Sequence, residues 1–323
     1  MEYRKCGNSG IFLPILSLGL WHNFGEYDSI KDAELILKTA FDEGICHFDL
    51  ANNYGPPPGS AESNFGKIYK KNFKSLRDEM FISSKAGHDM WKGVYGTGSS
   101  RKSIIASCDA SLKRTGLEYF DVFYSHRYDG VTPVSETMQA LIDLVRMGKA
   151  LYVGISKYPK DKQIEAYSYL REANVPCLLS QYRYSIFDTK ARDNNFEEAY
   201  NEGSGIICFS PLAQGLLTDK YLNGIPDNSR ANKSTGFLQK EQITEERLNA
   251  VRELKKLATE KGISISELAL SYVLTDKRVT SLIIGVSSVK QLKENLLVSK
   301  KIDFSNTEYQ LIENISKRKN ISF

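Results

Sequence analysis

Residues 45–55 read ICHFDLANNYG, and this stretch sets the pattern for the rest of the chain. An apolar run of strand character brings Asp49 to its end, and the turn beyond it carries Tyr54. Upstream, residues 28–43 repeat Ala33, Ile36, Leu37, Ala40 and Phe41 at helical spacing, with Gly44 as the stop signal. Downstream, the PPPG turn leads into a second helical pattern over 61–72. A turn aspartate followed by a loop tyrosine is by itself an ordinary surface feature. It gains weight here because strand-then-helix units recur along the chain, and most later strands also end in a residue capable of chemistry.

Working outward, residues 1–13 predict a hairpin around the GNSG turn at 7–10, and 15–20 a first strand. Further strands are expected at 80–84, 120–125, 150–155, 176–180, 206–209 and 281–284, separated by helical patterns. Two loops stand out: the Gly-rich, aromatic AGHDMWKGVYGTG at 86–98, and a long polar segment over 210–244. Every connection is long enough for a crossover, so the eight strands should run parallel. No GxGxxG follows a strand and no GxxxxGK[ST] occurs, which removes the fingerprints of dinucleotide-binding doubly wound sheets and of P-loop proteins. The expected fold is α/β, a (β/α)8 TIM barrel over 1–323 as one domain, with an N-terminal β-hairpin and an extra C-terminal helix after about 305. A doubly wound sheet is the alternative.

Composition narrows the function classes. The 323 residues can bury a large core, and 41% hydrophobic with 25% charged residues is ordinary for a globular chain. A net charge of +4, with basic and acidic residues interleaved, gives no basic stripe for nucleic acid. The five cysteines show no CxxC spacing, and Cys46, Cys108, Cys177 and Cys208 sit in apolar runs, as reduced thiols do. With neither an apolar leader at the N-terminus nor a run of roughly 18 apolar residues, membrane insertion is not expected and the cytoplasm is the default location. HExxH spacing and Cys/His clusters are absent from the sequence, so no metal is expected.

Barrel enzymes build their sites at the C-terminal ends of the strands. Asp49, Lys85, His126, Ser156, Gln181 and Ser210 end consecutive strands and would meet at one mouth. These groups suit carbonyl reduction. Hydride addition leaves an alkoxide, which needs a proton donor and a polarising hydrogen bond. Tyr54 can donate the proton if Lys85 lowers its pKa, Asp49 can hold the ammonium, and His126 can orient the carbonyl oxygen.

FDLANNYG (48–55), SSKAG (83–87), YSHR (124–127), VGIS (153–156), FSPLAQGLL (209–217) and IIGVSSVKQLKEN (283–295) together resemble the aldo-keto reductase superfamily. LWHNFG (20–25), ANNYGPPPGSAE (51–62), SHRYD (125–129), GKALYVGIS (148–156) and SPLAQGLLTDKYLNGIP (210–226) look like the branch that joins bacterial glyceraldehyde 3-phosphate reductases to potassium channel β subunits. The resemblance implies a barrel capped at its base by the hairpin, binding NADPH/NADP+ across the mouth. It implies a catalytic tetrad of Asp49, Tyr54, Lys85 and His126. It further implies nicotinamide contacts from Trp21, Asp49, Ser156, Gln181 and Phe209, and a pyrophosphate clasp from Ser210, Pro211, Leu212, Gln214 and Gly215. Lys220 and Arg230 would contact phosphates, with Ser287, Gln291, Glu294 and Asn295 at the adenosine end.

Two positions depart from the family pattern: Lys157 stands where many members carry asparagine, and Gln291 where many carry a basic residue. Preference for NADPH then falls to Lys220, Arg230 or Ser287. The expected substrate is a small aldehyde such as methylglyoxal or glyceraldehyde 3-phosphate, with Trp21, Tyr54, Trp91, His126 and Arg127 as candidate contacts and Lys92 as a further attractor of anions. Tyr95 and Tyr128 are additional candidates for an apolar wall. The family likeness also leaves a homo-oligomer, a tetramer, as an expectation. Competing readings are a slow cofactor-loaded regulatory subunit, against which the absence of a long N-terminal extension counts, and an aldolase-type barrel with Lys85 as Schiff base.

Overall fold

The computed structural model describes residues 1–226, 231, 238–299, 302–318 and 321. Strands β1 (Tyr3–Lys5) and β2 (Phe12–Pro14) form an antiparallel hairpin. Eight parallel strands follow: β3 (Leu16–Gly19), β4 (His47–Asp49), β5 (Phe81–Ala86), β6 (Phe120–Ser125), β7 (Ala150–Ser156), β8 (Cys177–Arg183), β9 (Gly205–Phe209) and β10 (Val279–Ile284). They pair in chain order, and β10 pairs with both β9 and β3, which closes the sheet into a barrel. This is the expected (β/α)8 architecture with its hairpin, and closure rules out the doubly wound alternative.

The helical shell is α1 (Ile30–Asp42), α2 (Ser60–Asn72), α3 (Arg101–Thr115), α4 (Val134–Arg146), α5 (Lys160–Glu172), α6 (Lys190–Asn194), α7 (Phe196–Glu202), α8 (Glu245–Glu260), α9 (Ile265–Thr275), α10 (Val289–Leu296) and α11 (Asn306–Ser316). Local chemistry sets several boundaries. The Ser29 side chain accepts from Asp32 N–H at the start of α1, and Ala33, Ile36, Leu37 and Ala40 form its buried stripe. Ser100 opens α3 in the same way, and Gly116, at φ 71°, ends it in the left-handed conformation that glycine adopts without strain. Among the described residues no helix is long and apolar enough to cross a membrane.

Two buried clusters divide the core. The larger lies between sheet and helices. The smaller fills the base of the barrel, where Cys6 and Leu13 of the hairpin region pack with Val122, Tyr124, Leu179 and Ile207. Arg4 of β1 fastens this plug by donating to the carbonyls of Val279 (2.8 Å) and Leu274 (3.2 Å).

Several strands run further than their apolar stretches predict. Asp49 lies inside β4, Lys85 inside β5, and Gln181 and Arg183 inside β8. Ladder bonding does not depend on side-chain polarity, and the barrel interior turns polar towards the C-terminal ends of the strands. Alternation is strict along β5: Ser83 and Lys85 bond to Asp49, while Ser84 donates to Glu62 of α2 on the outside.

Interior packing leaves no room for a side chain at position 154 of β7. A Cβ there would lie 2.4 Å from the Tyr124 ring and 2.9 Å from the Leu179 carbonyl oxygen. Gly154→Ala should therefore destabilise the barrel by roughly 1–3 kcal/mol. The expected result is a lower urea midpoint at unchanged m-value.

Candidate active site

The site is built around a buried ion pair. Asp49 and Lys85 project from neighbouring strands and are 1% and 0% exposed. Lys85 Nζ donates to Asp49 Oδ2 at 2.6 Å and to the Leu50 carbonyl at 2.6 Å. The other carboxylate oxygen accepts from Ser83 Oγ (2.8 Å) and Gln181 Nε2 (3.2 Å). Burial pulls the Lys85 pKa down, and the Asp49 charge opposes that pull.

Below the pair, His47 Nε2 lies 3.0 Å from Ser83 Oγ and His47 Nδ1 lies 2.8 Å from Ser17 Oγ, which is 2.6 Å from Ser281 Oγ. The direction of this row follows from its end. A carboxylate only accepts, so Ser83 donates to Asp49 and keeps only lone pairs for His47. The imidazole therefore carries its proton on Nε2, accepts at Nδ1 from Ser17, and Ser17 accepts from Ser281. Burial holds the His47 pKa at about 4, so the ring is neutral near pH 7.

Tyr54 sits on the loop after β4, its ring 5.2 Å from Lys85 Nζ, 6.1 Å from the Trp21 ring and 6.0 Å from the His126 ring, which it meets edge-on. Sequence reasoning expected Lys85 to lower the Tyr54 pKa. The structure gives the reverse: burial first, and Asp49 second, raise it well above the ordinary phenol value. Asp49 offsets the ammonium, so the phenol remains protonated. His126 follows β6 directly, anchored by its N–H to the Ala86 carbonyl at 2.8 Å. Burial, then Lys157 and Lys85, hold its pKa well below the usual value, so this ring is also neutral. Its Nδ1 has no hydrogen-bond partner among the described residues.

Tyr54 and His126 face a cavity of about 340 Å³. Trp21, Asp49, Gln181 and Phe209 line it with them, as do Ser210, Pro211, Leu212, Gln214, Gly215, Lys220, Ser287 and Gln291. Ser156 is fully buried beside Gln181 in the sheet, its Oγ without a partner among the described residues. Glu294 and Asn295 lie on α10 outside the lining, and Arg230 falls outside the described residues. Neither Trp91, 60% exposed, nor Arg127, which donates to the Gly87 carbonyl and Thr97 Oγ1, lines the cavity. Lining residues that the sequence did not single out include His22, Asn23, Asn53, His88 and Arg183. Arg183 had a usable signal, because it lies two residues beyond Gln181 on the same face of a strand.

The lining suits an anion that carries a flat ring, since it offers Lys157, Arg183 and Lys220 together with the Phe209 ring. Phe209 offers an aromatic face, and Gln214 Oε1 has no partner among the described residues, while the unpartnered Ser156 Oγ lies outside the lining. Ser210, Ala213 and Gln214 adopt φ of 56°, 47° and 59°, a left-handed backbone of the kind that aims amides at anions and that non-glycine residues hold only under strong constraint.

The chain is similar over most of its length to known proteins. The sequence model of the aldo/keto reductase family matches residues 15–317. The chain is 51% identical over 318 residues to the L-glyceraldehyde 3-phosphate reductase of Escherichia coli strain K12, covering 97% of this chain and 92% of that protein. It is 50% identical, with the same coverage, to the L-glyceraldehyde 3-phosphate reductase of E. coli O157:H7.

The buried imidazole gives stability a definite pH dependence. His47 titrates near 4 in the folded chain against 6.5 ordinarily, so between these values the folded state binds fewer protons than the unfolded one. Its contribution is complete above about pH 6.5 and is lost as pH falls towards 4, by up to about 3 kcal/mol. His88 and His126 shift in the same direction. Urea midpoints measured between pH 7 and pH 4 should fall steadily, and His47→Gln should flatten part of that slope.

Proposed function

The chain belongs to the aldo/keto reductase family, and from that premise we propose that it reduces small aldehydes to alcohols by hydride transfer from NADPH, with Tyr54 as general acid. Methylglyoxal and glyceraldehyde 3-phosphate are the proposed substrates, the second because the relatives are named for it. The observation that carries the reading is the pairing, in one cavity, of a protonated phenol with a neutral imidazole beside the Phe209 ring.

The bound cofactor supplies the hydride. The chain's own residues do the rest. A neutral His126 offers one N–H to the carbonyl oxygen and fixes its orientation. As charge develops on that oxygen, Tyr54 passes its proton to it. Lys85 and Asp49 lie under the phenol as a nearly neutral pair: Lys85 steadies the phenolate left behind, and Asp49 prevents it from forming early. Trp21 walls the substrate. Gln181 and Ser156 would hold the carboxamide, with Phe209 against the ring. The 210–215 backbone would take the pyrophosphate, with Lys220 and Arg230 at the phosphates. Ser287, Gln291, Glu294 and Asn295 would take the adenosine end, and Lys220, Arg230 or Ser287 would favour NADPH over NADH.

Schiff-base chemistry is disfavoured, because Lys85 is fully buried, donates to Asp49 and Leu50, and is not part of the lining. No observation favours the regulatory-subunit reading.

A screen of NADPH oxidation over short aldehydes should detect turnover with both proposed substrates. Tyr54→Phe should lower kcat by about 10²- to 10⁴-fold while the NADPH dissociation constant, read by fluorescence, barely changes. A Tyr54→Phe enzyme that keeps wild-type kcat would remove the phenol from the mechanism.

A further inference from the structure

We propose that Lys157, with Arg183 as second cation, holds the phosphate of a phosphorylated aldehyde and so discriminates it from unphosphorylated substrates; this rests on the aldehyde-reductase reading above. Lys157 follows Ser156 at the end of β7, with φ 55°, a left-handed backbone uncommon for a residue bearing a side chain. Its N–H donates to the Gln181 carbonyl at 3.1 Å, which pins this turn to β8. The side chain then crosses the mouth, with Nζ 3.0 Å from His88 Nε2 and 5.7 Å from the centre of the Phe209 ring.

The tether places the charge at a useful distance. An ammonium only donates, so His88 accepts at Nε2 as a neutral ring. The same His88 ring packs edge-on against His126, with centroids 4.4 Å apart. Lys157 therefore stands one imidazole beyond the group that orients the carbonyl. In a triose phosphate the phosphate lies at the opposite end of a short chain from the aldehyde, which matches this spacing.

The charge balance points the same way. Lys157, Arg183 and Lys220 line the cavity, and the one carboxylate among the described lining residues, Asp49, is paired with Lys85. Among the described residues neither Lys157 nor Arg183 forms a salt bridge, although Asp188 lies near enough to feel the Arg183 charge. Arg183 approaches the Phe209 ring to 5.8 Å, beside Lys157. Burial first, and then the neighbouring Lys85, Arg183 and Arg127 charges, pull the Lys157 pKa down to about 8, and a bound dianion would offset the like-charge part of that shift. Arg127, one of the two cations expected from sequence to serve the anion, is instead bonded to Gly87 and Thr97.

The competing assignment is that Lys157 serves the cofactor, and kinetics with binding separates the two. Wild type, Lys157→Met, Lys157→Arg and Arg183→Met should be assayed with glyceraldehyde 3-phosphate and with glyceraldehyde, alongside NADPH affinity by fluorescence. Calorimetric titration of the NADP+-saturated proteins with inorganic phosphate provides a readout that needs no turnover. In Lys157→Met, kcat/KM for the phosphorylated aldehyde should fall about tenfold or more beyond any fall for glyceraldehyde, through KM rather than kcat. Phosphate binding should be lost, Lys157→Arg should retain most of both, and Arg183→Met should fall between. Equal losses on the two aldehydes, weaker NADPH binding at an unchanged substrate ratio, or phosphate binding that survives Lys157→Met would overturn the proposal. A wild type that binds phosphate through Lys157 yet reduces no aldehyde would fail the parent reading instead.

Discussion

A carboxylate and an ammonium withdrawn together from water hold the mouth of this barrel in order. Moving either ion alone into the interior is costly, and leaving one behind without the other typically destabilises a fold by about 3–5 kcal/mol. Here each partner is also satisfied by neutral groups: Asp49 by Ser83 and Gln181, Lys85 by the Leu50 carbonyl. The donors come from β5 and β8 and the acceptors from β4 and the segment after it, so one pair of charges fixes the relative positions of three strands. The Ser281, Ser17, His47 and Ser83 row adds donors that all point towards Asp49 at the centre of the barrel.

The same pair sets the electrostatics above it. Asp49 offsets Lys85 at the centre of the mouth, and burial first, with Asp49 beside Tyr54 and with Lys157 and Lys85 beside His126, keeps both rings uncharged. Positive charge is displaced to the rim, where Lys157, Arg183 and Lys220 face the cavity. A neutral centre with a positive rim favours a ligand that is anionic at its ends and uncharged where it reacts.

Much of the barrel was legible in the sequence because its signal is repetition: alternating apolar runs and helical stripes leave few topologies once crossover lengths are counted. Strand ends were less legible. Asp49, Lys85 and Gln181 look like loop residues by polarity, yet each is paired in the sheet, since the interior becomes polar before the ladder stops. The tetrad residues do gather around one mouth. The expected fall in the Tyr54 pKa was wrong because the Lys85 charge was weighed against neither the burial of the phenol nor the charge of Asp49, which was assigned only to hold the ammonium. Trp91 and Arg127 were chosen by residue type, and only the path of the 86–98 loop shows that they stand outside the lining. His88 needed the same information.

Closure of the barrel has a consequence for biosynthesis. Strand β3 takes one neighbour from a segment more than half the chain away, through the pairing of Leu16 with Leu282. Until β10 leaves the ribosome, a nascent chain carries β3 and β9 as two open edges, each a template for association with other chains. The hairpin is in the same position, since the carbonyls that Arg4 grips belong to Val279 and Leu274. A chain that terminates before β10 (Val279–Ile284) is complete keeps both edges open and should yield insoluble fragments rather than a shortened enzyme.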